Sequence, residues 1–403
     1  MSKIKRVIIS CGGTAGHIFP GLEIAKSLKN SVRKIDILFV GAIGKMEMKS
    51  VPKHGFKIKG IWIQSLNRKS VFSNILFPFK FFISIIQSLL ILLTFKPDVV
   101  IGTGGFASGP ILLIANFLNY NTCIQEQNYF PGLTNRVLAK YVDFIFVAHN
   151  GMENFFPIKK IINFGNPVRK SLSNKDIDVR KSRSFFRLDP LNKSILVIGG
   201  SLGARPINDV IFELICLAEG KIKKQTNELP RKLNLIWQTG ESDFLRILSK
   251  LETITNCKSS NNNSLFYINN KNFELSISLH KFIDKMDYAY KAADLVISRS
   301  GAIAVAEICY LSIPSILIPS PFVTDDHQYK NAKYLLDNEA ALVIRNKGQI
   351  EFNKLYHFIR FLLSDKKRAM KMATNANSLF EYDASNKICE FILKNILDKK
   401  YDK

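Results

Sequence analysis

At 403 residues the chain exceeds the size at which a single hydrophobic core usually stops growing, so two domains are expected, and 47% apolar with 11% aromatic residues excludes a disordered or fibrous chain. Its 57 Lys and Arg against 33 Asp and Glu leave a charge of +24, an excess that attracts nucleic acid, anionic lipid or phosphorylated substrates, although AT-rich coding bias would give the same surplus with no partner. Six scattered cysteines, with no C-x-x-C pair and no His at zinc-ligand spacing, indicate neither a disulfide framework nor a structural metal, which fits a reducing cytoplasm.

Met1 to Arg6 run straight into a strand, Val7–Ser10, instead of a long apolar stretch with a small-residue cleavage site, so no export signal is expected. The strand ends in Gly12-Gly13-Thr14-Ala15-Gly16, and a helix follows. Such a loop turns backbone N–H groups and a helix N-terminus toward a phosphate. It lacks the G-x-G-x-x-G spacing, and the second strand, Ile35 to Val40, leads into Gly41-Ala42 without the acidic residue that holds an adenosine ribose, which argues against an NAD enzyme. No G-K-[ST] follows any glycine loop, which disfavours a nucleoside-triphosphate motor. His17, directly after the loop, reads as a general base or as a structural hydrogen-bonder.

Farther on, Val71, Phe72, Ile75, Leu76, Phe77 and Phe79, with Lys69, Lys80 and Lys96 around them, are expected to meet an anionic membrane surface. The apolar run Phe81 to Phe95 is shorter than the roughly 20 residues of a spanning helix and is read as a core helix of an α/β domain ahead of the alternative that it too lies on the membrane surface, and both hold if residues 71–80 face lipid. Strands at Val99–Ile101 and Ile145–Val147 continue the alternation, and Gly165-Asn166-Pro167-Val168-Arg169 marks a hinge before the polar stretch Ser171 to Ser194. Asp176-Ile177-Asp178 matches the D-x-D pattern of metal-using sugar transferases but sits among charged linker residues and is taken as chance.

The second half opens like the first, with Ile195–Ile198 and then Gly199-Gly200-Ser201-Leu202-Gly203, and adds strands at Leu233–Trp237, Leu295–Ile297 and Ile316–Ile318. Buried strands alternating with helical stretches predict doubly wound parallel sheets in two Rossmann-like domains, 1–165 and 166–383, with a basic helix at 384–403 returning to the first and a ligand cleft between them. Thr253 to Asn272 read as a surface loop. After Leu295–Ile297, the turn Ser298-Arg299-Ser300-Gly301 and a helix from Ala302 would face a diphosphate, while Glu307 either accepts both hydroxyls of a ribose or merely favours its helix's positive end. Polar residues from Thr324 to Ala332 cluster where a parallel sheet meets its ligand, and Gln328 suits sugar hydroxyls.

The segments GGTAGHIFPGLEIA (12–25), MEMKSVPKHGF (46–56), GTGGFASGP (102–110), QEQNYFPGLTNRVLAK (125–140), GNPVR (165–169), GGSLGAR (199–205), FIDKM (282–286), SRSGAIAVAEI (298–308) and DDHQYKNA (325–332) resemble, in combination and over nearly the whole chain, the MurG family. These are the lipid II-forming UDP-N-acetylglucosamine transferases of peptidoglycan synthesis. The resemblance implies a GT-B fold and an inverting transfer of N-acetylglucosamine from UDP-N-acetylglucosamine (UDP-GlcNAc) to the muramyl C4 hydroxyl of undecaprenyl-linked lipid I. It implies no cofactor, no obligatory metal, no nucleic acid, and a peripheral place on an anionic membrane at the cytoplasmic face of the bacterial inner membrane. It assigns Thr14, Ala15, Gly16 and Asn128 to the acceptor side and sugar edge, Arg169 and Ser201 to the diphosphate, and Ile283 to the uracil through its backbone. Ala302, Ile303, Ala304, Val305 and Ala306 fall at the phosphate-facing helix start, Glu307 at the ribose and Gln328 at the sugar hydroxyls. His17 is the expected base and Glu126 the second candidate.

Three positions depart from the family: Ala15 for glycine, Gln125 for His, and Leu202 for Gln. Two rivals stand beside this reading. Another GT-B transferase would share the nucleotide half but not the 102–110 and 125–140 motifs, and a basic nucleic-acid binder would need a binding module the chain does not display.

Overall fold

The computed structural model describes residues 4–65, 75–200, 203–220, 229–255, 263–270, 273–345 and 348–398. The chain divides into two compact units, Met1–Arg169 with Glu381–Lys403, and Lys170–Phe380. The division falls at the end of the Gly165–Arg169 segment, four residues past the expected boundary.

In the first unit, β1 (Lys5–Ser10), α1 (Ala15–Ser31), β2 (Ile35–Ala42), α2 (Met46–Lys53), β3 (Lys57–Ile61), α3 (Phe77–Phe95), β4 (Val99–Gly102), α4 (Ser108–Phe117), β5 (Asn121–Glu126), α5 (Leu133–Leu138), β6 (Phe144–Val147) and β7 (Ile161–Asn163) alternate. The strands pair in parallel in the order β3-β2-β1-β4-β5-β6-β7. Both faces of the sheet are covered, so Val7, Ile8, Ile9, Val99, Val100 and Ile101 are all buried, and a strand buried on both sides needs the unbroken β-branched runs seen in the sequence. The order reverses between β1 and β4, whose carboxyl ends carry the first two glycine loops, the position where open α/β sheets take their ligands.

α3 corrects the sequence expectation. It begins at Phe77, runs for 19 residues, and is long and apolar enough to cross a membrane by length and composition alone. It is not a core helix on all sides: Ser84, Ser88, Ile91 and Leu92 are buried, whereas Phe79, Phe82, Ile86, Leu90 and Leu93 form an exposed stripe. The small face packs because Ser84 and Ser88 return their hydroxyls to the carbonyls of Phe81 and Ser84, at 2.6 and 2.7 Å, leaving no polar group unsatisfied against α4.

The second unit contains α6 (Val179–Phe185), β8 (Lys193–Ile198), α7 (Arg205–Ala218), β9 (Lys232–Gln238), α8 (Phe244–Thr255), β10 (Asn263–Asn269), β11 (Glu274–His280), α9 (Met286–Ala292), β12 (Leu295–Ser298), α10 (Ala302–Leu311), β13 (Ser315–Leu317), α11 (His327–Asp337), β14 (Leu342–Val343), α12 (Phe352–Ser364) and α13 (Lys366–Ser378). Its sheet runs β10-β11-β9-β8-β12-β13-β14, parallel throughout except for the antiparallel edge pair β10–β11. The expectation of a loop across 253–272 is therefore overturned at 253–255, which finish α8, and at 263–269, which form β10. Ser264, Phe266 and Ile268 are buried while Tyr267 and Asn269 are exposed, the period-2 pattern of a half-buried strand. Asp178 of the D-x-D pair caps α6 by accepting the Lys181 N–H at 2.7 Å.

The chain closes with α14 (Ala384–Ile392), which ends in a π-helical turn, Leu393–Leu397. Ile388, Cys389, Ile392, Ile396 and Leu397 join the core of the first unit. Lys5 donates to the Leu397 carbonyl, and Ser27 Oγ donates to Asn386 at 3.0 Å.

Candidate active site

The first glycine loop is built by contacts that the sequence spacing does not reveal. Gly13 has φ +85°, a conformation that favours glycine, and the ring of Phe106 lies against it. Behind it lies the second loop, Thr103 to Ala107, where a side chain on Gly105 would run into the Gly12 carbonyl oxygen. Ser108 Oγ joins the two by donating toward the carbonyls of Ser10 and Gly104, each at 3.0 Å.

His17 stands in the first turn of α1. Its Nδ1 is 2.8 Å from the Gly12 carbonyl and 3.3 Å from Thr14 Oγ1. A carbonyl only accepts, so Nδ1 must carry the proton, and the neutral ring then has its lone pair on Nε2. The Nε2 edge of the ring lies against Gly104, where a Cβ would be 3.1 Å from Nε2. A main-chain bond thus selects the tautomer that a proton acceptor at Nε2 requires. The Thr103 hydroxyl meets the His17 carbonyl at 2.7 Å and holds the same turn from the second loop. Thr14 is the exposed N-cap, and Ala15 begins the helix without positive φ, so its extra methyl relative to glycine introduces no backbone strain.

Glu126, the second base candidate, is buried at the end of β5. One carboxylate oxygen accepts the Asn128 N–H at 2.9 Å and its side-chain amide at 3.0 Å; the other accepts the Gly132 N–H at 3.1 Å and the Asn135 amide at 2.8 Å. Four donors use the lone pairs that proton abstraction needs, and they make Glu126 the clamp of the 127–132 loop. Asn128 is held by that clamp. Beside it, Gln127 bonds the Thr103 carbonyl at 2.7 Å and the Gln125 side chain, while Gln125 and Gln127 share Asn166. Gln125 thereby ties the GNPVR segment to the strand end. His149 contacts the Tyr129 ring, and burial lowers its pKa to about 4 against a raising backbone bond to Gln127. Arg169 stacks its guanidinium 4.5 Å from the centre of the Phe19 ring on α1.

In the second unit, Gly200 (φ +89°) has open space around it, and Gly203 packs so closely on Thr239 that a side chain would strike its carbonyl. Ser201 and Leu202 lie outside the described residues. Gln238, buried at the end of β9, donates Nε2 to the Gly200 carbonyl at 3.1 Å and accepts the Ile283 N–H on Oε1 at 2.9 Å. The backbone of Ile283 therefore has its carbonyl to offer a base, its N–H being taken by Gln238.

α10 begins at Ala302 after Gly301, with no acidic residue in its first turn, so the amides of its first residues present a positive helix end. Ala302, Ile303, Val305 and Ala306 are buried and Ala304 is half-buried. Glu307, farther along the same helix, is only 2% exposed. Arg299 does not face this end. It donates to the carbonyls of Ile318 and Pro319, both at 2.9 Å, and burial lowers its pKa to about 10. Gln328 accepts the Ser320 N–H on Oε1 at 2.9 Å, which turns its NH2 group, a donor, the other way. The Gln328 carbonyl accepts the Ser300 hydroxyl at 2.8 Å, and Asn331 bonds the Ser300 carbonyl at 3.2 Å, so the two polar segments are locked together.

The structure thus gathers Thr14, His17, Asn128 and Glu126 about the glycine-loop edge of the first sheet, and Gly200, Ile283, the α10 start and Gln328 about that of the second, with Glu307 farther along α10. Three residues outside the expected set hold these loops: Glu47, Asn166 and Gln238. Glu47 and Asn166 lie inside the quoted segments 46–56 and 165–169, and Gln238 immediately follows a predicted strand.

Both halves match family models, the glycosyltransferase family 28 N-terminal domain over residues 7–147 and its C-terminal domain over 194–388. The chain is 40% identical to a protein of Flavobacterium psychrophilum and 39% identical to one of Christiangramia forsetii, covering 98% of this chain and 99% and 98% of theirs. Both are named UDP-N-acetylglucosamine--N-acetylmuramyl-(pentapeptide) pyrophosphoryl-undecaprenol N-acetylglucosamine transferase. The crystal structure of Acinetobacter baumannii MurG superposes with a TM-score of 0.70 at 26% identity, over 97% of this chain and 99% of that one. This chain belongs to the MurG family of glycosyltransferases. As a MurG-family member it has the α/β fold of two Rossmann-like domains, and both of its glycine-loop edges lie within the matched regions.

Proposed function

We propose that this chain transfers N-acetylglucosamine from UDP-GlcNAc to the muramyl C4 hydroxyl of lipid I, forming lipid II. The observation that carries the reading is His17, held as the Nδ1–H tautomer by Gly12 inside a chain whose near-full-length relatives bear that activity in their names. His17 Nε2 takes the proton of the attacking hydroxyl as the new bond forms at the anomeric carbon. The bond to UDP breaks on the opposite face, so the configuration inverts. Charge gathers on the departing diphosphate, and the positive start of α10, with Arg169 and Ser201, stabilises it most in the transition state. Glu307 takes the ribose, the Ile283 carbonyl the uracil, and the Gln328 NH2 group the sugar hydroxyls.

A lipid-linked acceptor calls for a membrane-facing surface. The stripe Phe79, Phe82, Ile86, Leu90 and Leu93 on α3, with Ile75, Leu76 and the 81% exposed Phe117, supports a peripheral seat on the anionic cytoplasmic face of the inner membrane. Phe77 is half-buried and stacks on Phe81, so it contributes less, and Phe72 lies outside the described residues. In that seat the protein would serve cell-wall growth, and with it cell shape and division.

The test is transfer itself. Purified protein is incubated with lipid I in vesicles and radiolabelled UDP-GlcNAc, UDP-glucose or UDP-N-acetylgalactosamine. Labelled lipid II with a β linkage from the first donor alone is the expected result; no transfer from any donor overturns the reading.

A further inference from the structure

Glu47 is fully buried beneath the first glycine loop and takes no part in the transfer chemistry proposed for this chain. Its Oε2 accepts the Gly13 N–H at 3.1 Å and its Oε1 the Ala42 N–H at 2.9 Å. The room it occupies is made by Gly41, where any side chain would run into Glu47 Cγ. Its charge is also felt by the neighbouring Cys11 thiol, which burial first and Glu47 second push up.

The Gly13 N–H and the Gly12 carbonyl belong to one peptide unit. Glu47 accepts from its nitrogen end, and His17 Nδ1 donates to its oxygen end at 2.8 Å. We propose that Glu47 is a positioning residue that orients His17 through the single Gly12–Gly13 peptide. A carboxylate on the N–H polarises the amide and makes its oxygen a better acceptor, since hydrogen bonds in a chain strengthen one another. The stronger acceptor holds the proton on Nδ1 and aims Nε2 outward. When Nε2 takes the acceptor's hydroxyl proton, the oxygen's electron pair forms the new glycosidic bond and the bond to UDP breaks with its pair on the diphosphate. The imidazolium left behind keeps its Nδ1–H on the polarised carbonyl. Glu47 touches no substrate in this scheme. A carboxylate reaching an imidazole through one amide does the orienting work that a direct carboxylate–histidine bond does elsewhere.

The inference rests on the reading of His17 as base, and a double-mutant cycle on the full chain tests it. Glu47→Gln keeps the volume but offers one carbonyl oxygen where two N–H groups need acceptors. With saturating UDP-GlcNAc, kcat is expected to fall roughly 10- to 100-fold, the worth of a charge-assisted bond, while KM for UDP-GlcNAc stays within about twofold. In a His17→Ala background the same change should cost less than about twofold more, because its route runs through His17. Fully additive losses would mean that Glu47 only supports the fold, and would overturn the proposal. If Glu47→Gln does not fold, Glu47→Asp, with its carboxylate withdrawn by one methylene, takes its place in the cycle.

A second readout needs no turnover. Nitrogen-15 spectra of labelled histidines should show His17 as the Nδ1–H tautomer in the parent protein and as a mixture in Glu47→Gln; an unchanged His17 signal overturns the relay. Failure of the transferase reading would appear separately, as a parent protein that transfers no sugar.

Discussion

Gln238 joins Gly200 to Ile283: one side-chain amide donates to the carbonyl of the glycine loop at 3.1 Å and accepts the N–H of the segment after β11 at 2.9 Å. The glycine loop after β8 and the backbone proposed for the uracil are thus held by one buried side chain. Gln238→Leu removes both bonds and leaves the Ile283 N–H without its acceptor, while the Gly200 carbonyl keeps the Gly203 N–H at 3.1 Å. The expected result is UDP-GlcNAc binding weaker by roughly tenfold or more in calorimetric titration, since an unsatisfied buried group costs about 1–3 kcal/mol. Binding equal to that of the parent protein would show that the bridge does not set the donor site.

Glu126 and His17 are told apart by what each loses on substitution. Glu126→Ala deprives two backbone N–H groups and two side-chain amides of their acceptor at once. Denaturant unfolding should show a loss on the order of 3 kcal/mol. His17→Ala should leave unfolding nearly unchanged and cut kcat by roughly 10²–10⁴-fold. If Glu126→Ala folds with parental stability and loses turnover, the roles are reversed.

The exposed stripe of α3 predicts a change in location without a change in fold. Replacing Phe79, Phe82 and Leu90 with Ser alters side chains that already face solvent, so stability should move by no more than about 0.5 kcal/mol per site. Sedimentation with vesicles containing anionic lipid should drop sharply, while UDP-GlcNAc titration stays the same. Unchanged sedimentation would remove α3 from the membrane reading.

Much of this was legible in the residues, for reasons that also mark where legibility stops. The strand–glycine–helix passages at Gly12 and Gly199 announce themselves because a tight turn from strand into helix needs small residues at fixed places, and two such halves of alternating strand and helix point to two doubly wound parallel sheets. α3 misled because it is apolar on every side, so periodicity could not say which face was inside; only Ser84 and Ser88, small and able to bond their own helix, mark the buried face. β10 was hidden by the Asn and Ser run before it, although Ser264, Phe266 and Ile268 alternate as a strand should. The Glu47–Gly13 and Gln238–Ile283 bonds cross 34 and 45 positions, and no local pattern in either partner points to the other.

The acid stability of the second unit should turn on His280. It sits at the end of β11, buried, with Nε2 2.8 Å from Ser278 Oγ and the Phe186 ring edge-on to it, and burial lowers its pKa from 6.5 to about 4. Above pH 6.5 the imidazole is neutral both folded and unfolded, and its contribution is fully present. As the pH falls from 6.5 toward 4 the unfolded chain binds the proton and the folded one does not, so stability is lost through that window and levels off below it. Replacement by a group that cannot protonate should therefore flatten the curve: His280→Gln is expected to change unfolding free energy less between pH 7 and pH 4 than the parent does, by an amount on the order of 2–3 kcal/mol. Denaturant midpoints measured across that range check it, and parallel curves for the two proteins would place the acid sensitivity elsewhere, His149 in the first unit being the next group whose burial lowers its pKa to about 4.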